Sequence, residues 1–328
     1  YQNGRFSDAE NLAVSITNEY PKHQSGWKVL GALLKQTGRV IDAVTAMQKS
    51  VQLAPQDAEA HYNLGNTFRE LGRLDEALAS YIQAIALKPD FAEAHYNLGC
   101  TLKELGRLDE AEASYNQAIA SKPDYAKAHN NLGITFKKLR RLKEAEASYN
   151  QAITLKPDFA EAHSNLGNTL QELGRSKEAE ASYNLAIVLK PDFAEAHYNL
   201  GNTLKELGRL DEAEASYNQA IASQPDYAQA HNNLGITLKK LRRLDDAEVS
   251  YNQAITLKPD FAEAHSNLGN TLQELGRLKE AEASCRQAIA LKSDFAEAHN
   301  NLGYTLQELG RLDEALASYT QAIALKPD

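Results

Sequence analysis

Several things are scarce in this 328-residue chain. It has two cysteines, one methionine and one tryptophan. Two cysteines cannot build a disulfide framework or a Cys-based zinc site. No apolar run approaches the roughly 18 residues needed to cross a bilayer, which points away from a membrane partner. Positive charge is not in excess: Lys and Arg number 35 against 44 Asp and Glu, a formal net charge of −9. A nucleic-acid surface needs the opposite balance, so no nucleic-acid partner is expected. No Asn-x-Ser/Thr acceptor occurs. No nucleophile elbow, His-Glu-x-x-His or phosphate loop is present, so the chain reads as a non-enzyme without a cofactor or metal. A reducing, cytoplasmic setting fits these absences.

What the chain does have is repetition. The string AEAHYNLG starts at Ala58, Ala92 and Ala194, and variants start at Ala126, Ala160, Ala228, Ala262 and Ala296. The period is 34 residues. It divides the chain into a half-repeat over 1–23 and nine repeats over 24–57, 58–91, 92–125, 126–159, 160–193, 194–227, 228–261, 262–295 and 296–328, read as one continuous solenoid. All nine prolines occupy the thirty-second position, from Pro21 to Pro327, and only Ser293 breaks the series. Of 18 glycines, nine sit at the eighth position and eight at the fifteenth, including Gly4. A longer period overlies this one: residues 92–193 and 194–295 agree at 89 of 102 positions, so a three-repeat block has duplicated.

Within residues 58–91, apolar residues recur at helical spacing in two runs. Leu64 and Phe68 lie on the first, and Ala77, Tyr81 and Ala84 on the second. Gly72 supplies a left-handed helix end between them. Pro89 stops the second helix. Asp90, with Glu93 three residues later, is placed to cap the next helix. Gly65 and its equivalents sit inside a helix, where glycine costs about 1 kcal/mol against alanine. Close approach of the partner helix explains them. One hairpin cannot bury its apolar face alone, so hairpins must stack. The expected fold is all-α, a right-handed superhelical solenoid of stacked antiparallel helix hairpins. The free ends would expose Leu316, Tyr319 and Ile323, which allows end-to-end homo-oligomers.

The spacing of Trp27 or His61, Leu64–Gly65, Phe68, Ala77, Tyr81, Ala84 and Pro89 resembles the tetratricopeptide repeat over essentially the whole chain. The wording AHSNLGNTLQELG and IALKPDFAEAH is most similar to the repeat domains of O-linked N-acetylglucosamine transferases and their bacterial relatives. The first resemblance implies a scaffold that binds a protein or peptide in a groove lined by the first helices. The second implies a recruiting arm whose catalytic domain lies beyond Asp328, in a chain that begins within a repeat as a fragment would.

Asparagine fills the sixth position of eight successive repeats: Asn63, Asn97, Asn131, Asn165, Asn199, Asn233, Asn267 and Asn301. A primary amide both donates and accepts, which suits a peptide backbone. The alternative is that duplication copied these residues and each pairs with a neighbouring repeat. Tyr62, Tyr96 and Tyr198 at the fifth position, and Asn66, Asn168, Asn202 and Asn270 at the ninth, share that face. Asn130 with Ile134, and Asn232 with Ile236, change together.

Two basic clusters, Lys137, Lys138, Arg140, Arg141 and Lys143, then Lys239, Lys240, Arg242 and Arg243, could anchor acidic partner residues. Favourable charge at a helix C-terminus is the simpler reading. Arg140 and Arg242 also replace the turn glycine and should strain those turns. The eight histidines at the fourth position are about 20 Å apart, at about 10 Å per packed helix. They cannot share an ion and should fill the slot that Trp27 fills in the first full repeat. From residue 58 on, the basic residues of a chaperone-tail carboxylate clamp are missing from the second, fifth and sixth positions, apart from Lys127.

Overall fold

A computed structural model describes residues 6–326. Gly4 and Pro327 lie outside the described residues. The chain resolves into two compact units, residues 1–165 and 166–328. The helices begin with α1 (Phe6–Glu19), α2 (Gln24–Gln36), α3 (Val40–Leu53), α4 (Ala58–Glu70), α5 (Leu74–Leu87), α6 (Ala92–Glu104), α7 (Leu108–Ser121), α8 (Ala126–Lys138) and α9 (Leu142–Leu155). They continue with α10 (Ala160–Glu172), α11 (Ser176–Leu189), α12 (Ala194–Glu206), α13 (Leu210–Ser223), α14 (Ala228–Lys240), α15 (Leu244–Leu257), α16 (Ala262–Glu274), α17 (Leu278–Leu291), α18 (Ala296–Glu308) and α19 (Leu312–Leu325). No strand occurs among the described residues. No helix among them is long and apolar enough to cross a membrane.

The turn inside each hairpin follows from one residue. Leu71 ends α4, Gly72 adopts φ +71°, and two bonds close the end: Gly72 N–H to Arg69 C=O at 3.0 Å and Arg73 N–H to Phe68 C=O at 2.9 Å. This is the double-bonded helix end that a left-handed residue permits. Arg140 and Arg242 form the same closure at φ 62° and 64°, as the sequence predicts for arginine in a glycine slot. An L-residue there costs about 1–2 kcal/mol, of which the extra chain entropy of glycine returns about half. Arg242 is 84% exposed and reaches Glu274 only at 3.6 Å, a contact of little worth at the surface. Arg242→Gly is therefore expected to stabilise its hairpin by about 0.5–1 kcal/mol. Hydrogen exchange of α14 and α15 amides measures this; unchanged or weakened protection refutes it.

The other helix boundary departs from the expectation. Asp90 does not cap α6. The residue ahead of that helix is Phe91, which makes no side-chain cap bond. The break after Pro89 holds two more residues in a turn before helix begins, which leaves Asp90 one position early. A side-chain cap forms at α4, where Asp57 stands at the thirty-fourth position and accepts from Glu59 N–H and Ala60 N–H.

Packing explains the interior glycines. A Cβ on Gly65 would stand 2.7 Å from the Tyr81 ring, and the same clash recurs from Gly99 against Tyr115 to Gly303 against Tyr319. In the eighth repeat Cys285 takes the place of tyrosine, and its Sγ stands 2.5 Å from that point on Gly269. Tyr81, Tyr115, Tyr149, Tyr183, Tyr217 and Tyr251 are the largest fully buried side chains, wedged between paired helices with Ala77, Ala84 and their equivalents. Both cysteines are buried and free, and burial pushes the Cys285 thiol up to about 12.

Besides the helices that precede and follow them in the chain, first helices touch one another within each unit: α4 with α6, α6 with α8, α12 with α14, α14 with α16 and α16 with α18. This places the first helices on the inner side of each unit's stack. Arginines at the sixteenth position bind the opposite side together. Arg209, for example, pairs with Glu212 of its own helix and Glu180 of the preceding repeat at 2.5 and 2.7 Å. Arg243, Arg277 and Arg311 bridge in the same way to Glu214, Glu248 and Glu282.

At the last hairpin, Leu316 and Ile323 are 67% and 64% exposed, and Tyr319 is partly covered.

Candidate partner-binding face of the first helices

The histidines occupy the tryptophan slot. Trp27 Nε1 donates to the Pro21 carbonyl at 3.0 Å. His95 Nε2 lies 2.9 Å from Pro89 O, and His61, His129, His163, His197, His231 and His265 meet the equivalent proline carbonyl at 3.0–3.3 Å. His299 does the same with Ser293 O at 3.1 Å. Each imidazole therefore ties the start of a first helix to the loop before it. Burial lowers the pKa of His129 and His231, against the weaker opposing pull of that carbonyl.

The asparagine ladder faces the preceding repeat. Asn97 Nδ2 donates to Asn66 Oδ1 at 2.8 Å and to Tyr62 Oη at 3.1 Å. Asn233 repeats this pair on Asn202 Oδ1 and Tyr198 Oη at 2.8 and 3.1 Å, and Asn199 donates to Asn168 Oδ1 at 2.9 Å. In these junctions the acceptor is shared, because the buried tyrosine of the same hairpin also reaches it: Tyr81 to Asn66, Tyr183 to Asn168 and Tyr217 to Asn202, at 2.7–2.8 Å. One amide oxygen thus joins both helices of a hairpin to the next repeat.

The coordinated changes at the fifth and ninth positions now have a cause. Ile134 and Ile236 remove the ninth-position acceptor. Asn130 and Asn232 restore one from the fifth position, receiving Asn165 and Asn267 at 3.1 and 3.0 Å. Where the ninth residue is Cys100, Asn131 donates to Tyr96 Oη at 2.9 Å and to Cys100 Sγ at 3.4 Å. Asn301 uses Ser266 Oγ at 3.1 Å, with Asn270 at the ninth position of that repeat. Asn63 differs: the repeat before it offers Lys28 and Ala32 at these positions, neither an acceptor, and no side-chain bond of Asn63 occurs among the described residues. Sequence reasoning found the ladder and its covariation, but not the shared acceptor, which exists only across repeats.

Asn97, Asn131 and Asn233 each spend their amide group on two acceptors of the preceding repeat, Asn199, Asn267 and Asn301 each reach one there, and Asn63 reaches none. Beside them the face presents half-exposed side chains. Tyr62 packs on Phe91 with ring centroids 4.9 Å apart; Tyr96 on Tyr125 and Tyr198 on Tyr227 do the same at 5.0 and 4.9 Å. In the first unit Asn66, Asn97, Arg69, Glu70 and Glu104 line a shallow pocket of about 520 Å³. In the second, Asn267, Asn270, Ile236 and Lys239 line one of about 380 Å³.

No curated protein matches the chain. Among solved structures, Pseudomonas aeruginosa PilF is similar in fold, with a TM-score of 0.57, 20% identity, and coverage of 63% of this chain and 94% of that one. YrrB, described as a tetratricopeptide repeat protein with an unusual peptide-binding site, gives a TM-score of 0.48 and 25% identity over 56% of this chain and 95% of its own. MamA gives 0.46 and 22% over 49% and 95%. Tetratricopeptide repeat models match residues 262–295 and 296–328, and a further one matches 243–276. The model described as the cilia and flagella-associated protein 70 C-terminal domain matches residues 6–235, more than half of the chain. With its hairpins, turns and repeat spacing, the chain belongs to that family of tetratricopeptide repeat domains.

Proposed function

We propose that this chain is a protein-interaction scaffold that holds an extended segment of a partner along the inner, first-helix face. The observation that carries the reading is the division of labour between faces. The residues between helices are nearly constant, with Ala, Gly and Tyr at fixed positions, while the fifth and ninth positions vary among Tyr, Asn, Ser, Ile and Cys. Those varied side chains are held by bonds across repeats before any partner arrives. Binding to a rigid surface avoids part of the ordering cost that association otherwise carries. Tyrosines in such a row supply large contact area with few rotors.

The partner contacts proposed are Tyr62, Tyr96 and Tyr198, the asparagines of the ninth position, and the side-chain amides of the sixth. Where both N–H groups of a rung are engaged, as at Asn97 and Asn233, the amide meets a peptide as an acceptor, receiving backbone N–H groups. The same face would serve whether the chain acts alone or as the recruiting arm of a larger glycosyltransferase-like enzyme.

The test selects peptides from a random displayed library against the whole chain. Tyr96→Ser with Tyr198→Ser is expected to weaken the selected peptides by about tenfold or more, as loss of aromatic anchors does, with helical circular dichroism unchanged. Wild-type affinity in that double variant would sink the inner-face reading.

A further inference from the structure

A second row runs beside the asparagines. The twelfth residue of one repeat meets the thirteenth residue of the next. Lys35 pairs with Glu70 at 3.1 Å and Arg69 with Glu104 at 3.2 Å. In the second unit Gln171 donates to Glu206, and Lys239 pairs with Glu274 at 3.0 Å. These rungs end in a carboxylate. One rung in each unit does not. After Lys103 the thirteenth residue is Lys138, and after Lys205 it is Lys240.

At both places the two rung positions hold lysines instead of a cation and a carboxylate. Lys103 reaches only the Asn131 Oδ1 atom, at 3.5 Å, and Lys205 lies 5.9 Å from the centroid of the Tyr217 ring. None of the four lysines has a carboxylate within 4 Å among the described residues. The adjoining carboxylates are already engaged, Glu104 by Arg69 and Glu206 by Gln171. Burial lowers the pKa of Lys103 and Lys205, with Lys138 and Lys240 pressing the same way. Lys240 also borders the inner-face pocket lined by Ile236, Asn267 and Asn270.

The contrast with the opposite side is informative. There the sixteenth-position arginines already hold carboxylates of their own chain, as Arg209 holds Glu180 and Glu212. Like charges in adjoining rung positions cost energy in a folded protein, and Lys103 and Lys205, which are half-buried, are screened less than the exposed Lys138 and Lys240. A carboxylate placed between them would receive charge-assisted bonds from both.

We infer that the Lys103–Lys138 and Lys205–Lys240 pairs are anchor points for the aspartate or glutamate side chains of an acidic partner segment, one anchor in each unit. The inference rests on the inner face being the partner surface and adds to it the charge of what it takes. Lys138 and Lys240 belong to the two basic clusters, for which the sequence favours a helix-end role. Across the repeat boundary these two stand at the rung position that carries a carboxylate in Glu70, Glu104, Glu206 and Glu274.

The probes are fluorescein-labelled alternating glutamate–glycine and glutamine–glycine dodecapeptides, with binding to the whole chain read by fluorescence anisotropy at low salt. The glutamate peptide should bind about tenfold tighter or more, equivalent to about 1.4 kcal/mol. Lys138→Glu with Lys240→Glu, which completes the carboxylate row, should remove that preference and raise the melting temperature. Lys143→Glu with Lys279→Glu makes the same change in net charge at exposed second-helix positions and should leave the preference intact. Equal binding of the two peptides by wild type overturns the inference. So does a preference that survives the first double variant, or one that the second abolishes equally. Tighter binding of an oligothymidylate of equal charge overturns the commitment to an acidic peptide. If neither dodecapeptide binds, the lysine anchors fall, and the library-selected peptides then decide separately whether the inner face stands.

Discussion

Tyr217→Ala is expected to destabilise its hairpin by about 3–5 kcal/mol, the range for removing a buried aromatic ring from a packed core. Tyr217 has no exposed surface. Its ring lies so close to α12 that a single methyl group on Gly201 would stand 2.7 Å from it. Gly201, across the hairpin, has no side chain to fill the space once the ring is gone. The hydroxyl is lost too, and with it the bond to Asn202 Oδ1 at 2.8 Å. In an array each repeat touches only its neighbours, so the damage should stay local. Hydrogen exchange is the suitable readout: amides of α12 and α13 should open at least about a hundredfold more often, while those of α18 and α19 keep their protection. A loss below about 1 kcal/mol would show that the array relaxes around the hole and would refute the wedge role of this ring.

Asn233→Ala and Asn63→Ala should act with opposite sign. Asn233 donates to Asn202 and Tyr198 across the repeat boundary. Losing two such bonds costs about 1–3 kcal/mol, and the better helix propensity of alanine returns roughly 0.5 kcal/mol. A net loss of about 1–2 kcal/mol is expected, visible as faster exchange in both α12 and α14. Asn63 makes no such bond because Lys28 and Ala32 cannot accept one. There only the propensity gain remains, so Asn63→Ala should be neutral or stabilising by a few tenths of a kcal/mol. If both substitutions destabilise equally, the ladder does not owe its strength to the bonds between repeats.

These two cases mark the limit of what periodicity can reveal. The sequence shows Asn130 changing with Ile134 and Asn232 with Ile236, a pattern as compatible with drift as with partner specificity. The reason for the pairing is a hydrogen-bond acceptor moving from the ninth position to the fifth, and its donor sits 31 or 35 residues away in the next repeat. Lys138 and Lys240 tell the same story for charge. Within one helix they read as favourable ends; across the repeat boundary they take the rung position after Lys103 and Lys205 where other rungs hold a carboxylate.

By itself the sequence determined most features that depend on a few consecutive residues, the cap expected of Asp90 excepted. The 34-residue period located the hairpins, because a left-handed residue at the fifteenth position and a stop near the thirty-second are local backbone requirements. It also located the interior glycines and the shared slot of Trp27 and the histidines, since a slot repeated eight times can be read from any copy. The structure decided what depends on a neighbouring repeat. It moved the helix start past Asp90, and it kept that geometry at Ser293, where Lys292 remains extended without a proline. It also turned asparagine donors such as those of Asn97, Asn131 and Asn233 onto the preceding repeat and left two lysine pairs without carboxylates. Side-chain partners in a solenoid are set by the stacking of one repeat on the next, and that stacking places together residues which the sequence keeps about thirty positions apart.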